Sequence, residues 1–158
     1  MAAIYIDTGG SATNSGSRDS NTAALSGTAA TAAAAIVSLL TDNPDLSSVD
    51  ATAGSATQDF IYLNDATNAN HRAFRIIGKD NTVGVKTVTV DIAPTGIVSS
   101  AWAIGGRYAA PAGNGLNLIE GALLAGDIIN INNSPASATV DWITGRVAGN
   151  STSGFIKV

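Results

Sequence analysis

The sequence predicts a mainly β protein with one helix near its N-terminus. Short apolar runs such as residues 60–63 and the alternating run at residues 88–92 recur after residue 59, and Gly, Asn and Ser punctuate them. Aromatic residues make up only 5 % of the chain and charged residues 13 %. Core volume must therefore come from Ile, Val, Leu and Ala, which suits thin, closely stacked layers.

The first fifty residues predict an entry strand, a polar loop and a capping helix. Residues 4–7 are apolar up to Asp7, and a loop rich in Gly, Ser, Asn and Asp follows over residues 8–21. The Ala-rich segment at residues 22–40 has helix-forming composition, and Ser20 or Asn21 can cap its first turn. Pro44 then disfavours helical geometry at the preceding residue and ends the element.

Residues 51–158 predict a β-rich module with a candidate internal repeat. Segments 59–77 and 127–158 each read as Asp, strand, polar loop and strand. Chance similarity between two ordinary hairpins remains the alternative. Because the second copy stops at Val158 inside a predicted strand, we expect the chain to be the front part of a longer protein.

Two segments resemble the entry region of right-handed parallel β-helices in bacteriophage tail-fibre and tailspike proteins, which are pectate-lyase-like. One is the strand and loop at residues 4–21. The other is the run Trp-Ala-Ile-Gly-Gly-Arg at residues 102–107, followed by the Gly126-Asp127 step. Gly permits a tight turn there, and Asp can cap the backbone at the corner of a coil.

The resemblance implies the start of a right-handed parallel β-helix, or a related β-sandwich-like module, in a homotrimer. It implies a structural component of a phage virion, the N-terminal attachment or shaft part of a tail fibre, tailspike or head appendage. Such a protein is assembled in the host cytoplasm, contacts other virion proteins and leaves by lysis. A capsid decoration (cement) protein and a fragment of a polysaccharide depolymerase remain alternatives.

A depolymerase would need a pair of carboxyl groups about 5–10 Å apart. Glu120, Asp127 and Asp141 are the candidates, but aspartates at strand starts usually serve as turn caps. The single histidine, His71, has no Cys or Gly-x-Ser-x-Gly motif to work with. The sequence therefore predicts no enzyme, no catalytic residue and no cofactor.

Charge and composition argue against several partners. The net charge is −4, and the eight Lys and Arg residues are scattered, which argues against nucleic-acid binding. With no Cys and one His, a thiolate or His-based metal cluster is excluded. The longest apolar run, residues 32–37, is too short to insert in a membrane.

Oxygen-bearing side chains in and just before the first loop are candidate ligands for a calcium ion. They are Asp7, Asn14, Asp19 and Asn21. Their spacing does not match the loop pattern of calcium-binding motifs, and turn formation explains them better. No metal ligand is predicted.

Three aromatic residues are the candidate contact residues. Trp102, Tyr108 and Trp142 could form a platform for a host surface glycan, because aromatic faces bind the C–H surfaces of sugars. With so few aromatics in the chain, we favour anchoring of the core or contact between subunits.

Overall fold

The computed structural model describes residues 2–41, 43–64, 73–82, 84–95, 97, 99–109 and 127–132. All regular secondary structure in these ranges is strand. The eight strands are β1 (Ala3–Ser11), β2 (Leu25–Ala33), β3 (Ile36–Leu39), β4 (Phe60–Asn64), β5 (Ala73–Asp80), β6 (Lys86–Val90), β7 (Ser100–Ile104) and β8 (Ile128–Asn132).

Six of these strands close into a barrel. The order around it is β2-β3-β6-β5-β4-β7, and every neighbouring pair, including β7 with β2, is antiparallel. Register shifts interrupt the β2–β7 ladder between Gly27 and Ala30 and the β5–β6 ladder between Ile76 and Gly78. Such irregularities bend strands and help a small sheet to close, and closure removes exposed sheet edges.

The other two strands form a separate parallel pair. β1 and β8 run in register from Ala3 opposite Ile128 to Asp7 opposite Asn132. Tyr108 forms isolated parallel bridges with Ile6 and Ser11 of β1. The whole barrel thus lies, in sequence, between the two strands of this parallel pair.

The expected capping helix at residues 22–40 is wrong. This segment forms β2 and β3, which pair as a hairpin, and Ala34 occupies a positive φ of 52° at its turn. Val37 and Leu39 are buried while Ile36 is half exposed, an alternation that only a strand produces. Burying this alternate face in the barrel outweighs the helix propensity of the alanines.

The mainly β prediction is confirmed, but a β-helix is not the architecture of the described strands. Those between residues 25 and 104 form an antiparallel barrel. Several consecutive strands are joined by short connections that turn the chain back beside itself, as between β2 and β3, which gives antiparallel neighbours. The predicted entry strand is present within β1, and the first copy of the candidate repeat is the β4–β5 hairpin. Only β8 of the second copy lies among the described residues.

The barrel interior is the main hydrophobic core. Inward side chains of all six strands meet there: Ala30, Val37, Leu39, Ile61, Leu63, Ile76, Val88, Val90, Trp102 and Ile104. Loop residues Leu46, Val49 and Ile97 join this cluster. In β4 the remaining side chains, Phe60 and Tyr62, are also buried, so this strand is covered on both faces.

A second apolar layer lies on the outside of β4. Its buried members come from β1, β8 and their neighbours, and include Ile4, Ile6 and Ile129. Tyr108 is fully buried, and its ring centroid lies 6.3 Å from that of Tyr62. This layer fixes the parallel pair against one side of the barrel. No helix long and apolar enough to cross a membrane occurs in the described ranges.

Candidate functional site

Three Arg–Asp pairs link the barrel to the segments around the parallel pair. They are Arg18 with Asp59, Arg75 with Asp127, and Arg107 with Asp7. Each carboxylate is at least 95 % buried, whereas the arginines range from buried to about one-third exposed. Since buried charges need partners, each pair ties two distant segments together.

The Arg75–Asp127 pair is the most deeply buried. The guanidinium donates to Asp127 Oδ2 and to Gln58 Oε1, the latter at 3.1 Å, and its Cζ lies 4.9 Å from the centroid of the Phe60 ring. Asp127 Oδ1 accepts the backbone N–H of Ala2 at 2.9 Å. One carboxylate therefore joins β5, the start of β1 and the start of β8.

Asp59 is the centre of a second network. Arg18 donates to both of its oxygens, at 2.8 Å from Nε and 2.6 Å from Nη2. The Ser17 hydroxyl and the Asp50 backbone N–H donate to the same carboxylate at 3.1 and 2.9 Å. The hydrogen bonds to Asp59 raise the pKa of Arg18 above its ordinary value.

The four candidate calcium ligands do converge, but around an arginine. Arg107 donates to Asp7, Asp19 and Asn21 at 2.9, 2.6 and 3.0 Å, and Asn14 Nδ2 donates to the Arg107 carbonyl at 3.0 Å. The hydrogen bond to Asp19, with smaller contributions from Asp7, raises the pKa of Arg107. No group of three metal-binding side chains occurs in the described residues.

The candidate aromatic residues that can be placed are core residues. Trp102 is 2 % exposed and packs in the barrel interior, where its Nε1 has no hydrogen-bond partner among the described residues. Tyr108 anchors the second apolar layer. Trp142 lies outside the described residues, as do His71, Glu120 and Asp141. Of the candidate carboxylates only Asp127 can be placed, and its oxygens are used by Arg75 and Ala2.

A polar concavity of about 410 Å³ lies on the outer face of β2, β7 and β4, beside the loop that follows β1; we call it the outer groove. Small residues Gly27, Ala101 and Ala103 form part of its lining. Its hydroxyl and amide side chains include Thr13, Asn14, Asn21, Thr22, Ser26 and Asn64. None of the described lining residues is Asp, Glu, Lys, Arg or His.

A second concavity of about 360 Å³ lies between the loop after β1 and the loop before β4. Its acidic lining residues include Asp50 and Asp59. Both are engaged by protein groups: Asp59 by Arg18, and Asp50 by the Thr57 hydroxyl at 2.7 Å and the Thr52 N–H at 2.8 Å. The hydrogen bonds of these two carboxylates stabilise the loop.

Searches with this chain found no matching family model, curated protein or solved structure. Any function must therefore be argued from the geometry above. Sequence reasoning missed the outer groove because its lining comes from strands that only the barrel register brings together. It also missed the Arg–Asp pairs, because the two partners of each pair lie 41 to 100 positions apart. The low number of charged residues was the only sequence signal that pointed to paired charges.

Stability should fall in acid. The hydrogen bonds from Thr57 and Thr52 hold the pKa of Asp50 well below its usual range, and hydrogen bonds from neighbouring backbone and side-chain groups lower the pKa of Asp45 and Asp80. A carboxyl group whose pKa is lower in the folded state stabilises the fold above its unfolded value of about 3.9, and this is lost as pH falls through the folded value. We expect a constant urea midpoint between about pH 5 and 8 and a decrease below about pH 4.

The contribution of Asp50 can be isolated with a matched variant. Asp50→Asn removes the titrating group, whereas Thr57→Val removes only its strongest hydrogen bond. Both should flatten the decrease in urea midpoint below about pH 4. A midpoint that rises on acidification, or a slope unchanged in both variants, would contradict the assignment.

Proposed function

We propose that this chain is a structural part of a bacteriophage virion, the N-terminal attachment or shaft part of a tail fibre, tailspike or head appendage. The observation that carries the proposal is the in-register parallel pair of β1 and β8. Parallel strands that are far apart in sequence and paired side by side are the repeating unit of an elongated parallel β-sheet. The resemblance of residues 4–21 and 102–107 to phage tail-fibre and tailspike proteins points to the same class of protein.

On this proposal β1 and β8 are the first two parallel strands of the appendage. A parallel connection within one sheet is right-handed in the great majority of cases. The barrel is then a domain inserted in the first connection. Asp127 stands immediately before β8 and bonds to Ala2 immediately before β1, so one side chain sets the register of the stack.

Low surface charge supports burial against other subunits in a homotrimer and against other virion proteins. The Lys79 ammonium donates to the carbonyls of Leu46, Ser47 and Val49, so its hydrogen bonds are made within the chain. The described arginines all face aspartates. Apolar side chains such as Ile36 and Ile77 are meanwhile 50 % and 45 % exposed. Depleted charge with exposed apolar groups is the composition of subunit interfaces.

The geometry gives less support to the two alternative functions, a depolymerase fragment and a capsid decoration protein. A depolymerase fragment would need a free carboxylate pair, and Asp127 is engaged in a buried ion pair. A capsid decoration protein requires no parallel stack.

The proposal is tested by locating the protein on particles. An antiserum raised against the chain should label a tail or head appendage in immunoelectron microscopy of virions from the source culture, and light scattering of the gene product should give a trimer. Labelling spread over the head lattice would replace the appendage role with capsid decoration. A strictly monomeric product with no label on particles would overturn the proposal.

A further inference from the structure

A short loop between β3 and β4 closes one end of the barrel. It spans residues 45–49, and we call it the plug loop. Leu46 is fully buried, Val49 is 3 % exposed, and both belong to the core cluster that the inward side chains of the strands form. Lys79 at the end of β5 and Asn81 just after it bind the plug loop, which places it at that end of the barrel.

The carbonyl groups of the plug loop face two cationic side chains. Arg18 Nη2 donates to the Ser48 carbonyl at 2.8 Å. Lys79 Nζ donates at 2.6–2.9 Å to the carbonyls on either side, those of Leu46, Ser47 and Val49. Four successive carbonyls thus accept from a cation, and such charge-assisted hydrogen bonds are stronger than neutral ones. The position of the loop therefore depends on these two side chains.

No strand ladder includes the plug loop. The Leu46 N–H donates to a side chain, Asn81 Oδ1, at 3.0 Å. Among the described residues, the one backbone-to-backbone hydrogen bond of the plug loop runs from the Val49 N–H to the Leu46 carbonyl at 3.1 Å, inside the loop itself. The six barrel strands meanwhile pair with one another around a closed ring. Detaching the loop therefore breaks no hydrogen bond between strands.

The loop also has a low cost of detachment. Lys79 is exposed, so water can solvate both its ammonium group and the carbonyls that it releases. The main apolar loss is the burial of Leu46 and Val49, whereas opening the barrel would separate strands and expose the whole core cluster. Segments with few buried apolar groups and solvent-accessible hydrogen bonds are those that open locally.

We propose that the plug loop opens as a unit while the barrel stays closed, and that the Lys79 ammonium is the latch that sets how often it opens. Opening withdraws Leu46 and Val49 and gives solvent access to that end of the barrel core. This local conformational step goes beyond the proposed virion role and does not depend on it.

The first test needs no variant. Amide hydrogen exchange of the full chain is followed by NMR at several low urea concentrations, with Leu46 and Val49 reporting on the plug loop. Ile76 and Val90, whose N–H groups donate to backbone carbonyls at 3.0 and 2.8 Å, report on the barrel. The plug-loop amides should exchange at least about tenfold faster and depend little on urea, because a local opening exposes little surface. Equal rates with the same urea dependence would overturn the proposal.

The second test removes the latch. Lys79→Met keeps an unbranched stem without the ammonium, and should speed exchange of the plug-loop amides by about ten- to hundredfold, the effect of losing a charged donor. The barrel amides should stay within about threefold of the parent. Val85→Ala truncates an exposed side chain outside the plug loop and is the control, expected to change neither set. Thermal unfolding of each variant checks the barrel. Unchanged plug-loop exchange in Lys79→Met, or an equal increase in both sets of amides, would overturn the latch.

Discussion

Replacing Arg75 by Met will lower the free energy of unfolding by about 3–5 kcal/mol, because it leaves the Asp127 carboxylate buried without its charged partner. The substitution also removes the hydrogen bond to Gln58 and the contact with the Phe60 ring. Urea unfolding at pH 7, followed by circular dichroism, measures the loss.

The double variant Arg75→Met/Asp127→Leu separates the cost of the orphaned charge from that of the pair. Removing both charges should recover most of the stability, since apolar residues of similar size often replace a buried ion pair without penalty. Recovery should be incomplete, because the Ala2 N–H loses its acceptor. If Arg75→Met lowers the free energy of unfolding by less than about 1 kcal/mol, the ion pair does not hold the barrel and the parallel pair together.

The second large effect concerns Trp102. Trp102→Ala should cost about 3–5 kcal/mol, since it empties a large volume in the barrel interior. Trp102→Phe should cost far less, under about 2 kcal/mol, because it removes a buried N–H that has no hydrogen-bond partner in the described part of the chain and whose burial is itself unfavourable by about 1–3 kcal/mol.

Thermal and urea unfolding of both Trp102 variants, beside the exposed-site control Val85→Ala, gives the comparison. The control should lie within about 0.5 kcal/mol of the parent. Equal losses in Trp102→Phe and Trp102→Ala would mean that the indole N–H contributes favourably, against the geometry.

The sequence was sufficient to predict the strand content, but it was not sufficient to predict that the strands close into a barrel. Phe60, Val88 and their neighbours lie in short apolar runs bounded by turn residues, and these runs became β4 to β6. The Ala-rich segment was wrongly predicted to be a helix, because alanine fits a helix and a strand alike. Only the pairing of β2 and β3 with other strands of the barrel decides between the two structures.

The candidate site illustrates the same limit. Trp102 could be recognised as an anchor because large aromatics are scarce, and its burial agrees with that preference. Ser26, Ala103 and Tyr62 form one row of the outer groove only because three strands pair in a particular register. No local pattern in the chain encodes that row, since each contact joins residues dozens of positions apart.

The β-bridge between Ser11 and Tyr108 brings together the two ends of the segment that contains the barrel. Ser11 N–H donates to the Arg107 carbonyl at 3.0 Å, and the Ala109 N–H donates to the Ser11 carbonyl at 3.1 Å, so the chain leaves and re-enters at neighbouring points. Domains whose ends are adjacent tolerate transplantation. Residues 12–107 could therefore be shortened, exchanged or grafted as a unit at this point while β1 and β8 keep their pairing, provided that the ion pairs of Arg75 with Asp127 and of Arg107 with Asp7 are replaced.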